Sequence, residues 1–300
     1  MRYLITGGTG LVGKELASLL LEKGHEVAIL TRSTKVDDIV DYFLLDLRNG
    51  TIDSKAVENV DYLIHLVGAG IVEEKWTDKR KKDIIDSRVN PLKLLSKVFK
   101  QKGISPKKII SASAIGYYGF DTKDLELTEE SSASKDYISE VVVKWESAVD
   151  DFSEELRCES VKLRIGIVLS KEGGALPQLA LPVKMGFGSA ISDGSQWISW
   201  IHFKDLVNLF YVASVENYKG VFNAVASSPV SNKDFVNTLA KTLKRPVWAP
   251  NVPKFVLQLL LGERSQLVVG GNLVSNKKII KAGFKFQFDT LEAALKDIYS

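Results

Sequence analysis

The sequence lacks several features that would direct it to other classes of protein. Cys158 is the sole cysteine among 300 residues, which excludes an intramolecular disulfide and favours a reducing, cytoplasmic compartment. No apolar run approaches the roughly 20 residues of a membrane-spanning helix, and no signal-peptide pattern precedes the first strand. The net charge of +3 gives no argument for a nucleic acid or a membrane as partner. We therefore expect a cytoplasmic protein that binds neither.

Two kinds of catalytic site are also missing. His25, His65 and His202 are scattered, and no H-x-x-x-H, C-x-x-C or carboxylate cluster has the spacing of metal ligands, so we expect no metal. The G-x-S-x-G turn of hydrolases does not occur. Candidate catalytic residues therefore have to be sought in motifs other than metal sites and hydrolase turns.

The first 170 residues alternate short apolar runs with longer amphipathic ones. This alternation is typical of βαβ units that build a parallel sheet, so we predict an α/β fold with a Rossmann-type doubly wound parallel sheet. The runs are rich in Val, Ile and Leu, as in strands buried on both faces. The predicted strands are Tyr3–Thr6, Val27–Thr31, Tyr42–Leu45, Tyr62–Leu66, Lys108–Ser111, Val161–Val168 and Val221–Ala226.

Helical periodicity predicts a first helix from about Leu11 to Lys23 and a long one over 78–102. Thr77 is the expected N-cap of the long helix, Gly103 follows its end, and Pro91 should kink or interrupt it. Further helices are predicted over 203–215, 232–243, 253–261 and 289–299.

The pattern changes beyond residue 170, where glycines and prolines punctuate a loop-rich stretch. We interpret residues 171–300 as a smaller, mostly helical substrate lobe and residues 1–170 as the dinucleotide-binding domain. The strand near 220–226 is expected to join the sheet of that first domain.

The first strand ends in a glycine-rich loop. The run from Thr6 to Gly13 satisfies G-x-G-x-x-G and opens an amphipathic helix. A dinucleotide pyrophosphate requires small residues here, because the backbone must turn sharply and approach the phosphates at a helix N-terminus. The candidate cofactor residues of this loop are Gly7, Thr9, Gly10, Leu11, Val12 and Gly13.

The end of the second strand discriminates between NAD and NADP. A carboxylate for the ribose 2′-hydroxyl is common there in NAD binders, whereas this sequence has Thr31, Arg32 and Ser33. A guanidinium pairs well with a 2′-phosphate, and the two hydroxyls can donate to it. NADP(H) is therefore the predicted cofactor, the alternative being that Arg32 is an ordinary surface arginine.

Several motifs together resemble the extended short-chain dehydrogenase/reductases of the NAD-dependent epimerase/dehydratase superfamily, and more narrowly its YfcH-like branch. The resemblance extends over essentially the whole chain. Its motifs are Thr6–Gly13, His65–Ala69, Trp76 with Asp86–Arg88, Ser111–Gly119, Trp145-Glu146, Leu163–Leu169, Gly173–Ala175, Trp200–Leu206 and Lys277–Leu295.

The resemblance implies further cofactor and substrate contacts. Leu66, Val67 and Gly68 would line the cofactor, and Asp46 would approach the adenine. Asp83 and Arg88 would contact ribose or phosphate, although Asp83 is equally consistent with a surface carboxylate. The segment with Trp197, Trp200 and His202 faces the substrate in related enzymes, but these rings could instead form core between the lobes.

The expected catalytic pattern is incomplete. Relatives use a Ser or Thr with a Y-x-x-x-K pair, in which the lysine lowers the phenol pKa. Ser113 fits the first position, but Tyr137 has Val141 where the lysine belongs, and Lys144 lies seven residues on.

Three explanations compete for this departure. Tyr117 or Tyr118 is the proton donor beside Ser113, with Lys144 assisting; or His202 or Asp205 supplies different acid–base chemistry; or the protein binds NADP(H) without turnover.

The resulting interpretation is an NADP(H)-dependent oxidoreductase or epimerase acting on a small polar or nucleotide-sugar-like substrate. The alternative is a non-catalytic NADPH sensor or scaffold, since some relatives carry names linked to cell or plastid division. A homodimer is also possible, because helical periodicity does not distinguish an apolar helix face that contacts a second copy from one that packs in the core.

Overall fold

A computed structural model describes residues 1–33 and 37–300. The strands are β1 (Arg2–Thr6), β2 (Glu26–Thr31), β3 (Val40–Asp46), β4 (Thr51–Ile52), β5 (Tyr62–His65), β6 (Lys108–Ala114), β7 (Glu126–Leu127), β8 (Glu159–Ile165), β9 (Ile167–Leu169), β10 (Trp197–Ile198), β11 (Trp200–His202), β12 (Gly220–Ala224), β13 (Val230–Ser231) and β14 (Leu273–Val274). The helices are α1 (Leu11–Glu22), α2 (Asp78–Lys102), α3 (Tyr137–Leu156), α4 (Leu176–Lys184), α5 (Phe203–Val215), α6 (Asn232–Thr242), α7 (Lys254–Leu261), α8 (Gln266–Val269), α9 (Lys277–Lys281) and α10 (Leu291–Tyr299). Single 3₁₀ turns occupy Ser54–Val57, Ile115–Tyr118 and Gly262–Ser265.

The main sheet has the order β12-β8-β6-β5-β1-β2-β3-β4. Its neighbouring strands are parallel, except that β4 runs antiparallel to β3. The strand order reverses at β1, which lies between β5 and β2, so the carboxyl ends of three strands converge beside the loop after β1. The predicted Rossmann-type α/β fold is confirmed.

Two helical layers cover this sheet. Helix α1 packs against α5, and α2 packs against α3, while both α3 and α5 contact β6. The strands between the layers have fully buried side chains such as Tyr3, Leu4 and Ile5. This double coverage explains the near-continuous apolar strands, because each strand buries both of its faces.

Helix α2 has the predicted ends. The Thr77 hydroxyl accepts the backbone N–H of Arg80 at 3.2 Å, and Gly103 adopts the left-handed conformation with φ of 65°. Of the two effects expected at Pro91, an interruption is wrong, because the helix continues through it, whereas a kink stays a prediction. Pro91 is buried beside the apolar face of α2, and that packing offsets the missing backbone hydrogen bond.

Two further segments differ from expectation. The strand predicted over 161–168 is divided: β8 pairs with β6 and β12, whereas β9 leaves the main sheet and pairs with β11. The stretch predicted as loop contains α4, with Pro177 in its first turn and Pro182 inside it.

The C-terminal half has a second apolar core. It includes Leu176, Trp200, Phe235, Leu239 and Leu295, all of which are fully buried. Strand β12 belongs to the main sheet through its parallel pairing with β8. The boundary at residue 170 stays a prediction. Across 1–33 and 37–300, the helices are too short or too polar to span a membrane.

Candidate functional site

The loop after β1, residues 6–13, is named here the glycine loop. Gly7 has φ of +76°, and a Cβ there would lie 2.8 Å from the backbone N of Val67. At Gly13 a Cβ would lie 2.5 Å from the Gly7 carbonyl oxygen. Side chains are thus excluded at both positions, because the loop lies tightly against the segment after β5 and against the start of α1.

The N-terminus of α1 is open at this loop. Gly10 is the N-cap and offers no side-chain cap, and both Thr9 and Gly10 are exposed. The backbone N–H groups of Leu11, Val12 and Gly13 have no hydrogen-bond acceptor within the described residues. Unpaired amides at a helix N-terminus, aided by the helix dipole, attract an anion such as a phosphate.

The end of β2 lies next to the glycine loop, since Leu30 pairs with Thr6 in the sheet. Thr31 is buried and its hydroxyl accepts the backbone N–H of Ser33 at 3.4 Å. Arg32 and Ser33 are exposed, and Arg32 forms no ion pair with any residue that the structure describes. Its guanidinium is therefore available to an added phosphate.

The segment after β5 lies on the other side of the glycine loop. The Leu66 backbone N–H donates to the Thr6 carbonyl at 3.0 Å, and Val67 contacts Gly7. A Cβ on Gly68 would lie 2.9 Å from the Arg88 guanidinium carbon. The structure thus brings residues 66–68 beside the glycine loop.

Arg88 lies beneath this segment with only 7% of its surface exposed. Its guanidinium donates to the carbonyls of Ile84 at 2.8 Å and Ala69 at 3.1 Å, and it lies 5.1 Å from the centre of the Trp145 ring. No carboxylate pairs with it within residues 1–33 and 37–300, and its Nε atom has no partner. Burial lowers its pKa to about 10, so it keeps its charge at neutral pH.

His65 links the glycine loop to α2. Its Nε2 donates to the Arg88 carbonyl at 3.0 Å, so Nδ1 accepts the hydroxyl of Thr6 at 2.8 Å. Complete burial lowers the pKa of His65 to about 4, which keeps the ring neutral at pH 7. Sequence reasoning assigned it no role, although it opens the His65–Ala69 motif.

The two predicted cofactor carboxylates lie in different surroundings. At the end of β3, Asp46 accepts the backbone N–H groups of Arg48 at 2.9 Å and Asn49 at 3.1 Å, and these contacts lower its pKa. Asp46 therefore closes a turn. Asp83 is exposed on α2.

A buried polar network lies at the carboxyl end of β6 and is named here the Arg164 cluster: Ser113, Tyr118, Glu146, Arg164 and Asn223. Ser113 donates to Glu146 at 2.6 Å, and Arg164 forms two hydrogen bonds of 2.8 Å with the same carboxylate. Burial opposes the charge of Arg164, but Glu146 outweighs it and raises the pKa of the guanidinium. The pair is charged and mutually satisfied.

The Arg164 cluster also engages one of the two predicted proton donors. The Tyr118 hydroxyl accepts from Arg164 at 3.1 Å and donates to Asn223 at 2.7 Å, and the side chain is 3% exposed. Tyr117 is half-buried, and its ring centre lies 3.4 Å from the Arg164 guanidinium carbon. Its hydroxyl has no hydrogen-bond partner in the described part of the chain. Ser113 and Tyr118 are therefore buried and engaged within the protein, and their predicted catalytic roles stay predictions.

Helix α3 does not carry Lys144 to the cluster either. Lys144 is exposed and pairs with Glu140 at 2.5 Å, whereas Trp145 and Glu146 point inward. Lys144 lies on the solvent face of α3, away from the Arg164 cluster, and its assistance to catalysis stays a prediction. Tyr137 donates to the Lys81 carbonyl at 3.1 Å and packs edge-on against Trp76.

Two of the three predicted substrate residues belong to the interior. Trp200 is fully buried in the second apolar core and donates to the Ser228 carbonyl at 2.9 Å. His202 caps α5 by accepting the Lys204 N–H at 3.1 Å, and burial lowers its pKa to about 4. Burial and capping favour the alternative that Trp200 and His202 form core between the lobes, and their substrate roles stay predictions. Asp205 is buried and accepts the N–H groups of Gln287 and Phe288, so it links α5 to the segment before α10.

Trp197, the third predicted substrate residue, is only partly buried. Its Nε1 donates to Asp124 at 2.8 Å. The ring lines a cavity of about 120 Å³ together with Asp121, Lys123, Asp193 and Lys254. The cavity is polar and open to solvent, so its chemistry suits a hydrophilic molecule.

Comparison with known proteins decides the family. The model of the NAD dependent epimerase/dehydratase family matches residues 3–224. The chain belongs to this family. A second model, a domain of unknown function named DUF1731, matches residues 252–298. The predicted resemblance is confirmed, and the glycine loop lies within the part that the epimerase/dehydratase model matches.

Relatives cover the whole chain. The epimerase family protein YfhF of Bacillus subtilis is 35% identical over 99% of this chain and 98% of its own length. The epimerase family protein SACOL0834 of Staphylococcus aureus is 33% identical over 99% of this chain and 98% of its own length. These relatives show full-length similarity within the family.

Solved structures agree with the fold. The crystal structure of human epimerase family protein SDR39U1 (isoform 2) with NADPH has a TM-score of 0.87 and 30% identity, covering 100% of this chain and 99% of that one. The UDP-glucose 4-epimerase of Thermotoga maritima, with UDP-glucose, has a TM-score of 0.79 at 17% identity, covering 100% of this chain and 97% of that one. The second similarity shows the fold alone.

Proposed function

We propose that this epimerase/dehydratase-family chain binds NADP(H) across the carboxyl edge of β1, β2 and β5. One observation carries the proposal: the open N-terminus of α1 lies beside Arg32, a guanidinium with no ion pair within the described residues. The amides suit the pyrophosphate, and Arg32 suits a 2′-phosphate. The NADPH found with human SDR39U1 supports the same choice.

Calorimetry with both dinucleotides tests this cofactor choice. We expect NADPH to bind at least about tenfold more tightly than NADH, and Arg32→Ala to remove most of that difference. Arg245→Ala is the matched control, because Arg245 is likewise exposed and unpaired among the described residues but lies after α6. Absence of heat with NADPH and NADP⁺ would overturn the proposal.

We further propose that the bound cofactor serves an oxidoreductase or epimerase reaction on a small polar substrate. When bound, NADPH supplies hydride to a carbonyl carbon. Tyr117 is the residue that we assign to proton transfer at the carbonyl oxygen, because its hydroxyl has no partner within the described residues while that of Tyr118 is engaged. The polar cavity beside Trp197 supports a hydrophilic substrate.

Turnover of NADPH with a panel of carbonyl compounds and nucleotide sugars tests the reaction. Tyr117→Phe should lower kcat by about 100-fold or more and leave the Kd for NADPH within twofold. A panel without turnover, or a Tyr117→Phe protein with unchanged kcat, would contradict this assignment.

A second candidate function is an NADPH sensor or scaffold without turnover. It is favoured by the engagement of Ser113, Tyr118 and Lys144 in other contacts and by Val141 in the lysine position. Saturable quenching of tryptophan fluorescence by NADPH, with no turnover and with a partner captured only when NADPH is present, would support it over the enzyme.

A further inference from the structure

Exposed apolar side chains are concentrated in two segments of the C-terminal half. Eight of the eighteen large apolar residues exposed among residues 1–33 and 37–300 lie between residues 181 and 187 or between 247 and 260. They are Leu181, Met185, Phe187, Val247, Trp248, Phe255, Leu259 and Leu260. Helix α7 is the extreme case, because none of its eight residues is buried.

Contacts hold these segments together. The rings of Phe187 and Trp248 lie 6.1 Å apart, and the backbone N–H of Val252 donates to the Ala190 carbonyl at 2.9 Å. Asn251 donates to the Ser192 carbonyl at 2.7 Å, and α7 begins at Lys254. The end of α4, the 247–253 segment and α7 therefore form one continuous surface.

The charged residues of these segments are all positive. Residues 173–192 and 235–262 contain no acidic residue. Lys184, Lys244, Arg245 and Lys254 are exposed and form no ion pair with the described residues. Lys254 lies at the border of this surface, because it lines the cavity beside Trp197 together with Asp121, Asp124 and Asp193. We name the eight apolar residues and these four cations the apolar–basic face.

We propose that the apolar–basic face binds the surface of an anionic phospholipid bilayer. Trp, Phe and Leu side chains enter the boundary between headgroups and acyl chains, and neighbouring Lys and Arg side chains pair with anionic headgroups. The net charge of +3 does not reveal this basic surface, because it also counts the acidic residues elsewhere in the chain.

A second copy of the chain fits this face less well. A two-fold interface would bring together two copies of a surface that carries Lys184, Lys244 and Arg245, and like charges repel. Lysine is also depleted in protein interfaces. An anionic bilayer neutralises these cations while it accepts the apolar groups. This inference is independent of the proposed reaction.

Cosedimentation with vesicles tests the proposal. We expect the full chain to bind phosphatidylcholine vesicles containing about 30% phosphatidylglycerol at least fivefold more than pure phosphatidylcholine vesicles. Binding should fall when the salt concentration rises from about 0.1 to 0.5 M, because the headgroup attraction is screened. Equal binding to both vesicles, or no binding, would overturn the proposal.

Matched variants separate this face from the rest of the surface. Phe255→Ser/Leu259→Ser removes side chains that are 68% and 86% exposed, and should lower binding to the anionic vesicles at least about fivefold. The control Ile39→Ser/Leu125→Ser removes side chains that are 71% and 64% exposed outside the face, and should change nothing. Equal loss in both variants would contradict the proposal.

Charge-reversal variants test separately whether the cations of the face attract anionic headgroups. Lys244→Glu/Arg245→Glu should abolish the preference for anionic vesicles, whereas Lys93→Glu/Lys97→Glu on the exposed side of α2 should preserve it. Light scattering tests whether the face is instead a contact between two copies. If the unmodified chain forms a dimer that Phe255→Ser/Leu259→Ser dissociates, and if it binds no vesicles, the proposal is overturned. Thermal unfolding midpoints check that each variant is folded.

Discussion

The glycine loop and the Arg164 cluster lie at the same edge of the sheet, yet they differ in how far the protein itself satisfies their polar groups. At the glycine loop, amides at the start of α1 and the Arg32 guanidinium have no partner within the described residues. In the Arg164 cluster, Ser113, Tyr118 and Glu146 are all paired. Unpaired, accessible donors suit a ligand, whereas paired, buried ones stabilise the fold.

The largest expected effect comes from breaking the Arg164 cluster. Glu146→Ala leaves the buried charge of Arg164 without a partner and should lower the free energy of unfolding by about 3–5 kcal/mol. Urea unfolding measures this, and the Kd for NADPH of the folded fraction should stay within twofold. Glu154→Ala, an exposed change on the same helix, should cost less than about 0.5 kcal/mol. Loss of NADPH binding without loss of stability would assign the cluster to the ligand instead.

At the glycine loop we expect the affinity for NADPH to fall, whereas at the Arg164 cluster we expect mainly a loss of stability. Gly7→Ala imposes a left-handed conformation on a residue with a Cβ and forces that Cβ against Val67, at about 2–4 kcal/mol. We expect the affinity for NADPH to fall by about 100-fold, measured by calorimetry, because the amides move away from the phosphates. Gly24→Ala has nearly the same φ of +77° but open space, so only the conformational cost, about 1 kcal/mol, should remain. Equal NADPH binding by both variants would contradict the steric argument.

A third prediction concerns pH. The pKa of His65 is about 4 in the fold and about 6.5 in the unfolded chain, so the fold favours the neutral ring. The stability gained in this way is complete above pH 6.5 and is lost as the pH falls toward 4. Between pH 7 and pH 5 the loss from His65 should be about 2 kcal/mol, and His65→Asn should remove it. Urea unfolding at both pH values measures this difference; an unchanged pH dependence in His65→Asn would show that the ring is not held neutral.

The smallest effect should come from Lys144. Because it forms an exposed pair with Glu140, Lys144→Ala should change the free energy of unfolding by about 0.5 kcal/mol at most and leave kcat within twofold. Chemical denaturation and steady-state rates measure both quantities. A loss of kcat comparable to that of Tyr117→Phe would instead show that Lys144 takes part in the reaction.

The sequence predicted the glycine loop and most strands of the main sheet because their signals are local. Four glycines follow one apolar strand, and each of these strands is an apolar run bounded by polar residues. The ends of α2 were predictable for the same reason, since Thr77 and Gly103 act within one turn. The continuity of α2 through Pro91 was not predictable, because it depends on what the helix packs against.

The Arg164 cluster was not predictable in the same way. Its members come from distant parts of the chain, and their partners are fixed only when β6, β8, β12 and α3 assemble. One signal was nevertheless present. The apolar residues Val142, Trp145 and Val149 define the buried side of α3, and helical spacing puts Glu146 beside that side and Lys144 away from it.

The C-terminal residues 272–276 complete hydrogen bonds far earlier in the chain. Asn272 donates to the Gly119 carbonyl at 2.8 Å, Asn276 donates to the Val225 carbonyl at 3.0 Å, and the Ser275 carbonyl accepts Asn223 at 2.9 Å. During synthesis, the hydrogen bonds of Asn223 and Val225 at the edge of the sheet are therefore completed only after residues 272–276 have left the ribosome. Shortened chains that end before this segment would present unsatisfied amide and carbonyl groups to chaperones and proteases, even with the glycine loop intact.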